Sequence, residues 1–341
     1  MGKILVTGGL GFIGSHTVVE LQNKGFEVII IDDLSNSSID VLEGIESITG
    51  IVPVFEKLDL KDKSNVQAFF KAHQDIQGVI HFAASKAVGE SVEKPLLYYE
   101  NNINTLVYVL LELQKLETAN FIFSSSCTVY GQADELPITE NAAIKKAESP
   151  YGNTKQIGEE IIKDTCQVNN NLNAIALRYF NPIGAHKSTK IGELPIGVPQ
   201  NLVPFITQTA IGIREQLSVF GNDYPTPDGT CIRDYIHVVD LAKAHVVALK
   251  RLISKMNSSN YETFNIGTGT GSSVLEVIKS FERMSKKKLN YKIANRRAGD
   301  IISAYADTTK ANHELGWKAE LTLDDAMQSA WEWEQNIRKK S

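Results

Sequence analysis

Short runs of β-branched and other apolar residues alternate with stretches of helical periodicity through the first 180 residues of the chain. Lys3 to Thr7, Val28 to Ile31, Val52 to Phe55, Gly78 to Phe82, Phe121 to Ser124 and Asn173 to Leu177 predict strands. Most of these runs are apolar throughout, which marks strands covered on both faces. Between them, Ile13, Thr17, Val18 and Leu21, then Val66, Phe69 and Phe70, then Ile103, Leu106, Val107, Leu110 and Leu111, then Ile157, Ile161 and Ile162 fall on single helical faces turned toward a sheet. Strand and helix in strict alternation predict an α/β fold, a doubly wound parallel sheet of the Rossmann type.

The pattern changes near Asn181. Pro182, Pro195, Pro199, Pro204, Pro225 and Pro227 bring irregular loops and predict a boundary between a first unit, 1–180, and a smaller mixed α/β unit, 181–341. Asp234 to Leu252 returns to a helical pattern and Thr263 to Ile266 to a strand, so 235–266 is expected to rejoin the first unit. Leu323, Ala326, Met327, Ala330 and Trp331 form one face of a last helix behind a Thr322 cap.

Composition narrows the partners. With 35 basic and 40 acidic side chains the net charge is −5, which leaves no broad cationic face for nucleic acid or anionic lipid. Cys127, Cys166 and Cys231 lie far apart, so neither a zinc site nor a disulfide framework is expected, and no metal is. No apolar run is long enough to span a membrane, and Val6 stands where a myristoylation signal requires Ser or Thr, so a cytoplasmic protein is expected.

The first strand runs into Gly8-Gly9-Leu10-Gly11-Phe12-Ile13-Gly14, which opens the first helix. Glycines there permit a tight turn and let backbone N–H groups and a helix N-terminus meet a pyrophosphate. Asp32-Asp33 ends the second strand, 18 residues beyond Gly14, where a carboxylate accepts the adenosine ribose hydroxyls. With neither Arg nor Lys between Ile31 and Asp40 to receive a 2′-phosphate, the expected cofactor is NAD. Asp59, in Leu-Asp-Leu, reads equally as an adenine contact or a turn aspartate.

Tyr151 and Lys155 are four apart, on one face of a helix, and Ser124-Ser125-Ser126 precedes them at a strand end. A tyrosine serves as a base near neutral pH when an ammonium and a positively charged nicotinamide favour its phenolate. Cys127 beside Ser126 has no evident activating base and reads as a small buried side chain.

These segments together resemble the extended short-chain dehydrogenase/reductases and, within them, the UDP-galactose 4-epimerases. The likeness runs through Val6 to Thr17, His81 to Ala84, Lys86 to Ser91, Ser124 to Gly131, Tyr151 to Lys155, Arg178 to His186, Phe220 to Tyr224, Arg233 to Val238 and Arg296 to Asp300. It implies redox-neutral epimerisation: a hydride leaves C4 of a UDP-hexose for tightly held NAD and returns to the other face of a 4-keto sugar. By position, Tyr151 is the base, Lys155 holds the nicotinamide ribose and tunes the tyrosine, and Ser126 bonds the sugar 4-oxygen. The implied cofactor neighbours are Gly8, Gly11, Phe12, Ile13, Gly14, Asp32, Asn36, Asp59, Leu60, Phe82, Ala83, Lys86, Asn101 and Tyr179. On the substrate side the resemblance implies Lys86, Asn181, Asn201, Arg233 and Arg297 toward phosphates or sugar, Phe220 and Tyr235 near uridine, and Asp300 on its ribose. It also implies a homodimer joined through helices near 95–115 and 151–168.

Two features refine the expectation. Related 4,6-dehydratases carry an Asp-Glu pair, and uronic-acid decarboxylases a Glu, where this chain has Cys127 and Thr128, which supply no carboxyl chemistry. Where epimerases restricted to plain hexoses carry a bulky tyrosine, this chain has Ala304, so N-acetylated UDP-sugars are expected to fit as well. A net nucleotide-sugar oxidoreductase and a non-catalytic sensor of NAD or nucleotide sugar are the competing classes.

Overall fold

The computed structural model of the chain describes residues 2–117, 119–297 and 300–339. In chain order its strands are β1 (Lys3–Thr7), β2 (Glu27–Asp32), β3 (Val54–Lys57), β4 (Ile76–His81), β5 (Ala119–Ser126), β6 (Leu172–Tyr179) and β7 (Asn181–Ile183). There follow β8 (Leu217–Phe220), β9 (Ile232–Arg233), β10 (Tyr235–His237), β11 (Tyr261–Ile266), β12 (Ser272–Ser273), β13 (Tyr291–Ala294) and β14 (Ser303–Ala304). The helices are α1 (Phe12–Asn23), α2 (Val41–Thr49), α3 (Lys63–Ala72), α4 (Val88–Glu93), α5 (Pro95–Leu113), α6 (Pro150–Val168), α7 (Leu202–Ala210), α8 (Val238–Ile253), α9 (Val274–Ser285) and α10 (Leu323–Lys339).

Seven parallel strands form the main sheet in the order β11-β6-β5-β4-β1-β2-β3. The order reverses between β1 and β4, and an open α/β sheet of this kind binds ligands beyond the strand ends at such a switch point. Period-two alternation divides each central strand between two cores. Ile4, Val6, Val28 and Ile30 pack with Val18 and Leu21 of α1 and Leu241 and Leu249 of α8. Leu5, Ile29 and Ile31 face Val66, Phe69 and Phe70 of α3 and Leu106 and Leu110 of α5. Each such fully buried aliphatic side chain contributes about 1.5–3 kcal/mol. A third core, with Phe281 of α9 edge-on to Trp331 of α10, lies among α7, α9 and α10.

The sequence-predicted strands recur, with differences at their ends. β3 is displaced to Val54–Lys57, because it is an edge strand whose Val52 and Val54 are exposed and exert no pull on the register. The helix expected from Asp234 begins at Val238, where His237 Nδ1 caps it by accepting the Val239 N–H at 3.1 Å, and Asp234 to His237 is extended instead. Leu111, expected to face the sheet, is exposed on the outer side of α5. At α10 the Thr322 cap forms: Oγ1 accepts the Asp325 N–H at 3.2 Å and Asp325 Oδ2 accepts the Thr322 N–H at 2.8 Å. Among the described residues, no helix is long and apolar enough to cross a membrane.

Candidate active site

The glycine loop between β1 and α1 is shaped by close approach. Gly8 has a φ of +67°, and a Cβ there would lie 2.8 Å from the Ala83 nitrogen. A Cβ on Gly14 would come within 2.2 Å of the Gly8 carbonyl oxygen, so the helix start is pressed against the loop. On Gly11 the same addition meets only that carbonyl oxygen, at 3.2 Å, which leaves the outer side of the turn open. Gly11 is the N-cap of α1 and supplies no side chain, so the first-turn N–H groups at Phe12 and Ile13 point to an open face carrying the positive end of the helix. This cradle fits a pyrophosphate.

Asp32, at the end of β2, is buried and braces the same loop. Its Oδ2 accepts the Leu10 N–H at 3.1 Å, while Oδ1 accepts from the Leu34 N–H at 3.0 Å and Ser37 Oγ at 2.7 Å. The remaining acceptor capacity suits a ribose diol. Asn36 is exposed in the loop that follows. Asp59 follows β3, which ends at Lys57; its Oδ1 accepts the Lys61 N–H at 2.9 Å, the geometry of a turn aspartate, while neighbouring Leu60 is buried.

Beyond β4, the Phe82 N–H meets Thr7 O at 3.0 Å and the Ala83 N–H meets Thr7 Oγ1 at 3.3 Å, which binds this loop to the end of β1. Asn101 of α5 donates to Ser85 Oγ at 2.9 Å. Its neighbour Asn102, absent from the sequence expectations, accepts the Ser85 N–H at 2.8 Å and donates to Thr154 Oγ1 at 3.0 Å, tying the loop to α6.

α6 begins with Ser149, whose Oγ accepts the Gly152 N–H at 3.1 Å, and with Pro150, whose fixed φ suits the first turn. Tyr151 thus sits in the first turn and Lys155 one turn later, both buried. Lys155 Nζ donates to Ser124 O at 2.6 Å, lies 4.8 Å from the Phe123 ring centre and 5.9 Å from that of Tyr151. Ser126 ends β5 directly beside Tyr179 of β6, and its Oγ accepts the Thr128 N–H at 3.2 Å. Tyr151, Lys155, Ser126 and Tyr179 therefore converge at one end of the sheet.

Burial dominates the electrostatics there. It pushes Tyr151 up to about 12, against which the Ser126 hydroxyl acts by favouring the phenolate. It draws Lys155 down to about 7, which the carboxylate of Glu159 resists. Desolvation thus sets the direction for both groups. Cys127 is likewise pushed up to about 12 by burial, which makes its thiol a poor nucleophile.

Sequence reasoning also missed Glu159. It accepts from Arg178 Nε at 2.9 Å and Nη2 at 2.5 Å, and from the Ser125 hydroxyl, so a buried ion pair joins α6 to β6 and a hydrogen bond joins α6 to the end of β5. One carboxylate among many on helices gives no spacing signal.

Short strands assemble the remaining residues. β7 pairs with β10 so that Asn181 lies opposite Tyr235, and β14 pairs with β9 so that Ala304 lies opposite Arg233. Asp234, fully buried between Arg233 and Tyr235, accepts from the N–H groups of Thr268, Gly269 and Ala306 at 2.8, 3.2 and 3.2 Å, and so fixes both neighbours. Arg297 stacks 4.8 Å from the Phe220 ring centre and forks onto Asp300 with two contacts of 3.1 Å, while Arg233 Nη2 stands 4.0 Å from the same carboxylate. Lys86 and Asn201 meet at Glu193, at 3.8 and 2.5 Å. The structure thus gathers Phe220, Arg233, Arg297 and Asp300 in one group and Asn181 with Tyr235 in another, while Asn36 and Asp59 are exposed in the loops that follow β2 and β3. No group of three or more potential metal ligands occurs among the described residues.

A glycine-cradled helix start at the switch point of a doubly wound sheet, with a buried Tyr-x-x-x-Lys pair and a serine at the neighbouring strand end, defines an extended short-chain dehydrogenase/reductase. Residues 5–330 match the family described as GDP-mannose 4,6 dehydratase. The UDP-glucose 4-epimerase of Bacillus subtilis is 50% identical over 97% of this chain and 96% of its own length. The UDP-glucose 4-epimerase of Stenotrophomonas maltophila, solved with bound NAD and formylated UDP-arabinopyranose, superposes with a TM-score of 0.96 at 44% identity over 100% of both chains. The UDP-Glc/GlcNAc 4-epimerase of Campylobacter jejuni gives 0.84 at 34% identity, over 98% of this chain and 100% of that one. The chain belongs to the UDP-glucose 4-epimerase family.

Proposed function

We propose that this protein interconverts UDP-glucose and UDP-galactose by inverting C4 through a transient 4-keto sugar, with NAD held throughout. The observation that carries the reading is the convergence of buried Tyr151, Lys155 and Ser126 at the strand ends beside the glycine cradle. NAD, when bound, supplies the hydride acceptor and donor for C4. Gly8 to Gly14 hold its pyrophosphate against the start of α1, and Asp32 takes its adenosine ribose.

Tyr151 Oη removes the proton of the sugar 4-hydroxyl and returns it, with Ser126 holding the 4-oxygen in place. A phenol pushed up to about 12 by burial needs positive charge beside it, and Lys155 supplies part of that from a position fixed by Ser124 O. Burial of the whole set excludes water while the keto sugar turns over. Cys127 and Thr128 form the turn directly after Ser126 and offer no carboxyl group, which speaks for epimerisation over 4,6-dehydration.

The reading extends to UDP-N-acetylglucosamine and UDP-N-acetylgalactosamine. Ala304 is a small side chain placed opposite Arg233, where the phosphates are expected, so a 2-acetamido group meets no bulky ring from this position. Assay of both sugar pairs with purified protein tests it: turnover of both is expected, and no turnover of the N-acetylated pair overturns the extension.

The same reading assigns the cofactor to the main sheet, built from 1–180 and 235–266, and the UDP-sugar to the remaining elements. It takes the protein as a cytoplasmic homodimer. Leu96, Leu97 and Leu111 of α5 and Val168 of α6 are exposed apolar residues on the helices expected to join the two copies.

A further inference from the structure

The loop between β7 and α7 carries a carboxylate that the mechanism above does not use. The side chain of Glu193 is only 12% exposed; its Oε1 accepts from Asn201 Nδ2 at 2.5 Å and stands 3.8 Å from Lys86 Nζ. Asn201 is the N-cap residue of α7 yet caps none of its N–H groups, because its amide is directed to Glu193. Lys86 comes from the separate loop behind β4, and its side chain is half exposed. A single carboxylate thus bridges two loops, each contributing a residue that the family resemblance places on the substrate side.

The position of Glu193 is itself held from behind. Its carbonyl oxygen accepts the Trp333 indole N–H at 2.9 Å, a Cβ on Gly192 would lie 2.6 Å from the Trp333 ring, and Asn336 Nδ2 donates to Thr189 O at 2.7 Å. α10 therefore pins the loop. Burial pushes the Glu193 carboxyl up, opposed by Lys86 and Asn201. A nearly buried carboxylate facing a half-exposed lysine at 3.8 Å gives little net stability, so the arrangement is poorly explained by folding alone.

We propose that Glu193 is a positioning residue for the UDP-sugar, fixing the Lys86 ammonium and the Asn201 amide in the orientations that meet the substrate's oxygens. This rests on the function proposed above. An amide nitrogen has two donors, so Asn201 keeps one free while bonded to Glu193, and the Lys86 ammonium, paired with the carboxylate at 3.8 Å, keeps its donors for the substrate. Without the carboxylate, the long Lys86 side chain must be ordered during binding, and that cost falls on substrate affinity rather than on the chemical step.

The test uses full-length protein with NAD, titrated calorimetrically with UDP-galactose and assayed for turnover, as wild type, Glu193→Ala and Glu193→Gln. Glu193→Ala is expected to raise Kd and KM about tenfold with kcat changed less than about twofold. Glu193→Gln is expected to fall between, since its amide oxygen still accepts from Asn201 but gives Lys86 no charge partner. In a Lys86→Met background, Glu193→Gln is expected to add little further loss. Unchanged or tighter binding by Glu193→Ala, the outcome if the carboxylate merely repels a diphosphate, overturns the proposal. So does a fall in kcat at unchanged KM. Wild-type protein that binds UDP-galactose without turning it over contradicts the epimerase reading instead, while the Kd comparison still decides the role of Glu193.

Discussion

Tyr151 and Lys155 share one helix face and one cause of perturbation: burial disfavours the charged form of each, raising the phenol and lowering the ammonium. Tyr151→Phe removes the proton acceptor and keeps the ring, so it is expected to slow epimerisation by about 10²–10⁴-fold while NAD remains bound, as measured by turnover and by nucleotide released on denaturation. Lys155 gives a pH signature. Its value in the folded chain, about 7, lies below the ordinary lysine value of 10.5, so folding is penalised wherever the group is protonated in both states. The penalty is full below about pH 7 and is relieved as pH rises from there toward 10.5. Lys155→Met, stripped of nucleotide, should therefore exceed equally stripped wild type in stability most strongly below pH 7, by a margin that shrinks at alkaline pH in denaturant titrations. Ala304→Tyr should retain turnover of the plain hexose pair and lose that of the N-acetylated pair; equal loss of both contradicts the assigned position.

Among the elements, those with strong periodicity were legible and those placed by tertiary contact were not. β1, β2, β4, β5 and β6 are buried strands whose apolar runs announce them, and the glycine loop was readable because Gly8 and Gly14 answer to backbone geometry. Gly14→Ala, which drives a Cβ toward the Gly8 carbonyl oxygen, is expected to lower NAD content and thermal stability together. β3 slid by two residues because an exposed edge imposes no register. The extended segment Asp234 to His237, which includes β10, was read as the start of a helix, since its residues suit either state and only the buried Asp234, bonded across to Thr268, Gly269 and Ala306, selects the strand. Thr322 was readable as a cap, and Thr322→Ala should cost about 1 kcal/mol in denaturant unfolding, consistent with the loss of one capping side chain.

For the molecule as a whole, a net charge of −5 ruled against nucleic acid and broad anionic surfaces without ruling against small anions. The helix start at Gly11 to Ile13 and a few placed side chains, Arg233, Arg297 and Lys86, provide local positive potential inside an acidic protein. The candidate site was legible in its motif residues and illegible in its supports: Glu159, Asp234, Glu193 and Asn102 act through partners distant in sequence, and nothing in local spacing reveals them. The central claim is redox-neutral inversion at C4 by the Tyr151 set. The most direct measurement incubates purified protein separately with UDP-glucose and UDP-galactose while following both sugars and free reduced nicotinamide. The account predicts that the two reactions converge on one mixture without stoichiometric release of reduced nicotinamide; no interconversion, or its steady release, contradicts it.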